Sequence, residues 1–209
     1  MYPPVKRLLD LLGAAVLLVL SLPAWGVIAA VLRLSQGAPV FFRQRRAGKD
    51  GVPFTLCKFR TMIDAPPPRL PDRPVAKAPH DDRATPFGRI LRRTALDELP
   101  QLLNVLKGEM SLVGPRPLPL ADLEQPGWLT TVDDAERARR LAWLARRQRV
   151  LPGLTGLWQL SAPSEEDFDN WIQCDTAYVT RQGLWFDLYI ACATPFAVLR
   201  GRRRRKMTG

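Results

Sequence analysis

Histidine is nearly missing: His80 is the only one in 209 residues. That removes Ser-His-Asp and Cys-His catalysis and histidine-based metal sites. Cysteine is almost as scarce. Cys57, Cys174 and Cys192 are odd in number, far apart and without a C-x-x-C pair, so neither a disulfide framework nor a zinc knuckle is supported, and a reducing compartment fits. Neither a G-x-G-x-x-G fingerprint nor a P-loop is present, which argues against dehydrogenases and kinases. Acidic residues are outnumbered 20 to 31 by lysine and arginine, leaving a formal charge of +11. Such a chain calls for an acidic partner, either nucleic acid, anionic lipid headgroups or a phosphorylated substrate. Few aromatics interleave with the basic runs, which weakens the nucleic-acid reading. Hard chemistry falls to carboxylates, with any metal an oxygen-ligated one such as Mg²⁺.

One apolar run does stand out. No charged residue occurs from Leu11 to Leu32, a stretch of about 22 residues that meets the length needed to span a bilayer. Its flanks look alike, with Lys6 and Arg7 before it and Arg33, Arg43, Arg45 and Arg46 after it. The positive-inside tendency pulls both to the cytoplasmic face, and a re-entrant helix satisfies both. Ser21 and Pro23 lie mid-run, where proline removes a helical N–H and a serine hydroxyl can satisfy a freed carbonyl. A plain kinked span and a cleaved signal peptide, with Ala24-Trp25-Gly26 as its small-x-small site, are the other readings; the basic flank and cysteine usage oppose the second.

At this length the chain holds one catalytic unit with a real core. We expect a mainly α fold with a small β-hairpin, divided into a membrane helix at 1–36 and a cytoplasmic, membrane-associated catalytic domain at 37–209. Val40-Phe41-Phe42 and Phe54-Thr55-Leu56 read as strands around an Asp-Gly turn at Asp50-Gly51. Ala65 to Pro79 holds six prolines and no apolar periodicity, so it reads as a loop. Leu99, Leu102, Leu103, Leu106 and Met110 make the stripe of a core-facing helix. Glu136 to Arg149 is arginine-rich and amphipathic; it either lies on anionic lipid or presents a solvated basic face. The apolar segment Leu188 to Leu199 is too short to span. With the basic Arg202 to Lys206 tail behind it, it reads as interfacial, a disordered tail being the alternative.

The chemistry concentrates between Thr94 and Pro117. Asp97 and Glu98 are adjacent carboxylates. If Asp97 caps the following helix, Pro100 falls at its third position, and the positive helix end keeps Asp97 ionised. An ionised carboxylate serves as a nucleophile on phosphorus or as a metal ligand, although Asp at an N-cap with Glu in the first turn is also ordinary helix chemistry. Phosphate-compatible groups crowd around: Arg89, Arg92 and Arg93 just before, and Arg116 between two prolines just after. Lys58 and Arg60 alternate with Phe59 on a strand end, so their charges share one face. Lys58, Arg60, Arg92 and Arg116 are the candidate phosphate contacts.

These features together resemble the bacterial sugar transferases, monotopic polyprenyl-phosphate phosphoglycosyl transferases, here in a short form. The resemblance rests on Lys6-Arg7 with Asp10, the Ser21/Pro23 break, Pro39-Val40-Phe41-Phe42-Arg43-Gln44-Arg45, and Lys58-Phe59-Arg60-Thr61-Met62. It continues through Asp81, Arg83 and Thr85, Gly88-Arg89, the Asp97-to-Pro117 block, Pro152-Gly153-Leu154-Thr155-Gly156 with Gln159, and Asp175, Tyr178, Trp185 and Asp187. It implies a re-entrant helix at the cytoplasmic face of a bacterial inner membrane, a UDP-sugar and polyprenyl phosphate as substrates, and a role in starting glycan or exopolysaccharide assembly. It also implies a Mg²⁺-dependent Asp-Glu dyad in which Asp97 is the nucleophile and, with Glu98, the metal ligand. Two departures are visible. Ala95 stands where the family usually has serine, and Leu22 separates Ser21 from Pro23. The rival readings are a polyprenyl-diphosphate phosphatase using the same dyad on water and a non-catalytic, membrane-anchored basic adaptor. Which sugar is moved is not legible, because pocket shape rather than any motif sets it.

Overall fold

The computed structural model describes residues 2–63, 84–124, 127–130, 132–161 and 168–207. The expected loop at 65–79, His80 and two residues of the family pattern, Asp81 and Arg83, lie outside them. In chain order the elements begin with α1 (Tyr2–Gln36), β1 (Phe41–Ala47), β2 (Pro53–Phe59), α2 (Pro86–Thr94), a 3₁₀ turn (Leu96–Gln101), α3 (Leu102–Lys107) and β3 (Ser111–Val113). After these come α4 (Leu120–Leu123), α5 (Gly127–Thr130), α6 (Asp134–Arg147), β4 (Gly153–Thr155), α7 (Leu157–Leu160), α8 (Phe168–Arg181) and α9 (Leu184–Met207). The fold is mainly helical, with the expected hairpin. Asp50 and Gly51 take positive φ at its tip, as an Asp-Gly turn between strands requires. A second two-stranded sheet, the parallel pair β3–β4, was not expected, since strands this short carry no readable alternation.

The apolar run forms one helix of 35 residues with Pro23 inside it, about 52 Å long at the usual rise. A single stripe of this helix is buried. Ala14 packs with Leu102, Val105 and Met110, and Ile28 and Leu32 pack with Phe59 and Leu91. Both halves of α1 therefore share a core with the rest of the chain. The opposite face exposes Leu12, Val16, Val19, Leu20 and Val27. Ser21 Oγ donates to the Leu18 carbonyl at 3.0 Å. Proline at 23 orphans the Val19 carbonyl instead, so the serine does not reach the acceptor that the proline frees.

Polar contacts tie α1 down at each end. Arg7 donates to the carbonyls of Val105 and Leu106 at the end of α3, at 2.7 and 3.0 Å. Lys6 donates to the Val113 carbonyl at 3.1 Å and is paired with Asp187 in the first turn of α9. Asp10 is buried and accepts from Ser111 Oγ and the Leu112 N–H. At the far end Arg60 donates to the carbonyls of Gln36, Gly37 and Ala38.

Residues of α7, α8 and α9 pack around Val113 of β3, and α6 packs on α8. In α6 the apolar side turns inward, with Trp143 buried against Leu118 and Trp171, while Arg139 and Arg140 pair with Glu136. Hydrogen bonds from Arg139 and then Arg140 hold the Glu136 carboxyl down to about 2. These pairs are compatible with both sequence readings of this segment. The apolar segment at 188–199 is part of α9, which continues as helix through 202–206. It exposes Trp185, Tyr189, Phe196 and Leu199.

Candidate active site

The carboxylate pair sits where α2 stops. Ala95 takes a left-handed conformation, φ 55, and closes α2 with N–H contacts to Arg92 and Leu91 carbonyls. The chain then makes the 3₁₀ turn rather than a new α-helix, and α3 starts only at Leu102. Asp97 is therefore inside the turn and is not an N-cap, a correction to the capping expectation. The predicted single helix from Leu99 to Met110 is likewise split: it ends at Gly108, φ 87, before Met110. The signal that distinguishes the two is local, because Pro100 removes an N–H and Ala95 offers no capping side chain. A turn this short has little dipole, and side chains bring charge to Asp97.

Those side chains are supplied by the hairpin. The register pairs Phe42 with Lys58, Gln44 with Leu56 and Arg46 with Phe54, so alternation places Arg46, Gln44 and Lys58 on the same face as buried Phe54 and Leu56. The 3₁₀ turn packs on that face. Lys58 is thus a partly buried ammonium. Burial lowers its pKa, Asp97 and Glu98 oppose the fall, and Arg46 and Arg116 add to it. Asp97 is 6% exposed and is the strongest of the charges that hold the proton on Lys58. Asn104 fixes the hairpin to α3: its amide donates to the Thr55 carbonyl at 2.8 Å and to Glu109 at 2.6 Å, and its oxygen accepts from the Cys57 N–H.

The second wall is the Gly114-Pro115-Arg116-Pro117 turn, held by backbone contact with the Pro152-to-Gly156 segment. The Gly114 N–H donates to Thr155 O at 2.9 Å and the Gly153 N–H to Pro115 O at 2.8 Å. A Cβ on Gly153 would lie 2.0 Å from Gly114 N, so only glycine permits this approach. Two glycine-proline motifs far apart in sequence are there because they touch. The Arg116 guanidinium lies 4.6 Å from the Trp158 ring and 3.8 Å from Glu98. Arg46 donates to the Pro117 carbonyl at 2.7 Å and to Gln44 at 2.7 Å. Burial, then repulsion from Arg116, pushes the Arg46 guanidinium down to about 9, with Asp122 and Glu98 pulling the other way.

Arg46, Lys58, Glu98, Gln101, Arg116 and Trp158 together line one cleft. Of the residues chosen from sequence, Lys58, Glu98 and Arg116 meet there, with Asp97 against Lys58. Arg60 does not line it; its guanidinium is taken up at the end of α1. Arg92 is in the last turn of α2 and does not line it either. Ser21 and Pro23 lie within α1. Sequence reasoning missed Arg46, Gln101 and Trp158 as cleft residues. For Arg46 a signal existed, since it lies four residues from Phe42, the register partner of Lys58. No group of three or more histidine, cysteine or acidic side chains that could hold a metal occurs among the described residues. Two adjacent carboxylates still fit Mg²⁺, which commonly takes one or two protein carboxylates and completes its shell with substrate phosphates and water.

The sequence model of the family described as bacterial sugar transferase matches residues 1–201. The chain is similar to the sugar transferase EpsL of Bacillus subtilis, 41% identical over 93% of this chain and 87% of that protein. It is similar to the exopolysaccharide production protein ExoY of Rhizobium meliloti, 38% identical over 94% of this chain and 86% of that one. A UDP-glucose:undecaprenyl-phosphate glucose-1-phosphate transferase of Caulobacter vibrioides is 40% identical over 90% of this chain and 67% of its own length. With the carboxylate pair, the basic cleft and the glycine-proline contact all inside the matched region, this chain belongs to the bacterial sugar transferase family.

Proposed function

We propose that this protein moves a sugar-1-phosphate from a UDP-sugar to polyprenyl phosphate, the first step of a lipid-linked glycan or exopolysaccharide. The observation that carries it is the convergence of Arg46, Lys58 and Arg116 on the Asp97–Glu98 pair. Three cations around two carboxylates suit a diphosphate that must be held while one of its phosphorus atoms is attacked. The names of relatives that act on UDP-glucose and undecaprenyl phosphate support the same substrates.

In the reaction a carboxylate oxygen of Asp97 attacks the phosphorus that bears the sugar. The new O–P bond forms as the P–O bond to the nucleotide breaks, and nucleoside monophosphate leaves. An oxygen of polyprenyl phosphate then attacks the same phosphorus and releases the Asp97 carboxylate, giving polyprenyl-diphosphate-sugar. Lys58 and Arg116 stabilise charge on the phosphoryl oxygens, with Arg46 behind them. Arg60 is spent on the end of α1, and Arg92 lies outside the cleft. Asp97 and Glu98 would hold Mg²⁺, which when bound offsets the diphosphate charge.

The lipid substrate requires a membrane seat at the cytoplasmic face of the inner membrane, next to anionic lipid. Exposed apolar side chains on α1 and α9 support it: Leu20 is 73% exposed and Trp185 79%. Their first turns are joined by Lys6 and Asp187. Because both halves of α1 pack on one body, we read α1 as entering and leaving by the same face. Residues 1–36 are then the membrane element and 37–209 the catalytic unit, although α1 shares its core with that unit. Purified, detergent-solubilised protein offered a panel of UDP-sugars should release UMP repeatedly only when polyprenyl phosphate is present, with a lipid-linked sugar as co-product, and no more than one UMP per protein without it. Release of inorganic phosphate from a polyprenyl diphosphate instead would contradict this reading.

A further inference from the structure

Arg147 ends α6 with its guanidinium in a place that stability does not explain. Its Nε lies 3.1 Å from Asp175 Oδ2, and the two side chains are only 5% and 3% exposed. Trp143 Nε1 donates to the same Asp175 oxygen at 3.1 Å, and the guanidinium lies 4.7 Å from the Trp143 ring. Desolvating both charges costs about what their attraction returns, so apolar residues of similar size often replace such a pair without loss of stability. What the pair adds is direction. Arg147 Nη2 donates to the carbonyl of Arg116, and the next carbonyl, that of Pro117, is held by Arg46. Two guanidinium groups thus grip consecutive peptides of the turn whose side chain, Arg116, reaches Trp158 and Glu98 in the cleft. Arg147, Asp175 and Trp143 are not among the residues that line that cleft.

We propose that Arg147, aimed by Asp175 and Trp143, is a positioning residue that fixes the Arg116 peptide so that the Arg116 guanidinium meets the diphosphate in the cleft. This gives the helical segment after Pro117 a part in the reaction: α6 and α8 brace the turn from outside. It rests on the reading of Arg116 as a phosphate contact.

The test uses the full chain in detergent with the double variant R147M/D175L, which replaces the pair by apolar side chains of similar length. It should melt at or above the wild type, while kcat falls about tenfold or more, the scale of a misplaced catalytic contact, with a smaller change in KM. In an Arg116→Ala background the same pair of changes should cost under about threefold, because its route is already gone. Amide hydrogen exchange across residues 114–118 should quicken. Unchanged exchange and kcat in folded R147M/D175L, or a full loss repeated in the Arg116→Ala background, would overturn the proposal. If the wild type turned over no UDP-sugar, the functional reading would fail, and the exchange measurement alone would decide whether Arg147 holds the turn. Should R147M/D175L not fold, Arg147→Lys is read the same way, since one ammonium cannot copy the fork that serves both partners.

Discussion

Arg60 donates to the Gln36 carbonyl at 2.7 Å, so a side chain at the end of the hairpin closes the C-terminus of the long apolar helix. Gly37 and Ala38 carbonyls share the same guanidinium. A charged donor on orphan helix carbonyls is worth about 1.5–3 kcal/mol. Arg60→Ala should lower thermal stability by that order and shift the melting temperature, with turnover per folded molecule changing less than it does for the cleft arginine. A thermal melt beside a rate assay checks this; a large loss of rate in fully stable protein would return Arg60 to the site.

Arg116→Ala should behave in the opposite way. Arg116 is in a turn held by backbone bonds, so the fold does not depend on its side chain. Removing one charge-assisted phosphate contact should cost about 1.5–3 kcal/mol in the transition state, or about ten- to a hundredfold in rate. Steady-state kinetics with a cognate UDP-sugar measure it. A normal rate in folded Arg116→Ala would take Arg116 out of the mechanism.

Lys58 gives the pH dependence. Burial lowers its pKa from the ordinary 10.5, so the ammonium that the diphosphate needs is lost earlier on the alkaline side than a free lysine would be. Rate should therefore fall as pH rises through a value below 10.5. The sign for stability is reversed. A lysine with a lowered folded pKa is penalised while charged, and the penalty fades as pH climbs from the folded pKa to the ordinary value. Lys58→Met should lose more than about tenfold in rate yet melt no lower than wild type at pH 7. A steep fall in melting temperature would mean that the ammonium is a net structural tie.

Much of the site was legible because its residues cluster in sequence: Asp97, Glu98 and Arg116 fall in one block, and Lys58 lies on a strand readable by alternation. Trp158 was not, since its place depends on the Gly114–Gly153 contact, which no local pattern encodes, while Arg46 was overlooked although the hairpin register puts it on the face of Lys58. Arg60 was read as a phosphate contact, and the structure places its guanidinium on carbonyls at the end of α1. A basic residue beside Lys58 reads as a second phosphate contact, and only the fold shows that its guanidinium is spent on α1. The mainly helical fold and the hairpin were readable from periodicity. The break between α2 and α3 was readable only in part: Pro100 marks it locally, but Ala95 in a left-handed conformation is a choice that helix propensity argues against.

The proposed topology is tested by the accessibility of the two ends of α1. Single cysteines introduced as Tyr2→Cys and Asp50→Cys, in a background lacking Cys57, Cys174 and Cys192, should both be protected from an impermeant thiol reagent in intact cells and both react after permeabilisation. Labelling of one position alone from outside would establish a span. In that case Pro23→Leu would be expected to change nothing, whereas for a re-entrant helix it should favour crossing.

The central claim is that Asp97 carries the sugar phosphate, and intact-protein mass spectrometry tests it most directly. Protein incubated with Mg²⁺ and a cognate UDP-sugar, without lipid, should release nucleotide in a single burst and gain the mass of one sugar phosphate on the peptide containing Asp97. Added polyprenyl phosphate should discharge it. Asp97→Asn should show neither burst nor adduct, while Glu98→Gln should chiefly raise the Mg²⁺ requirement. An Asp97→Asn protein that kept near-normal turnover, or a wild type that turned over without ever gaining mass, would contradict the account and leave direct attack by the lipid phosphate as the mechanism.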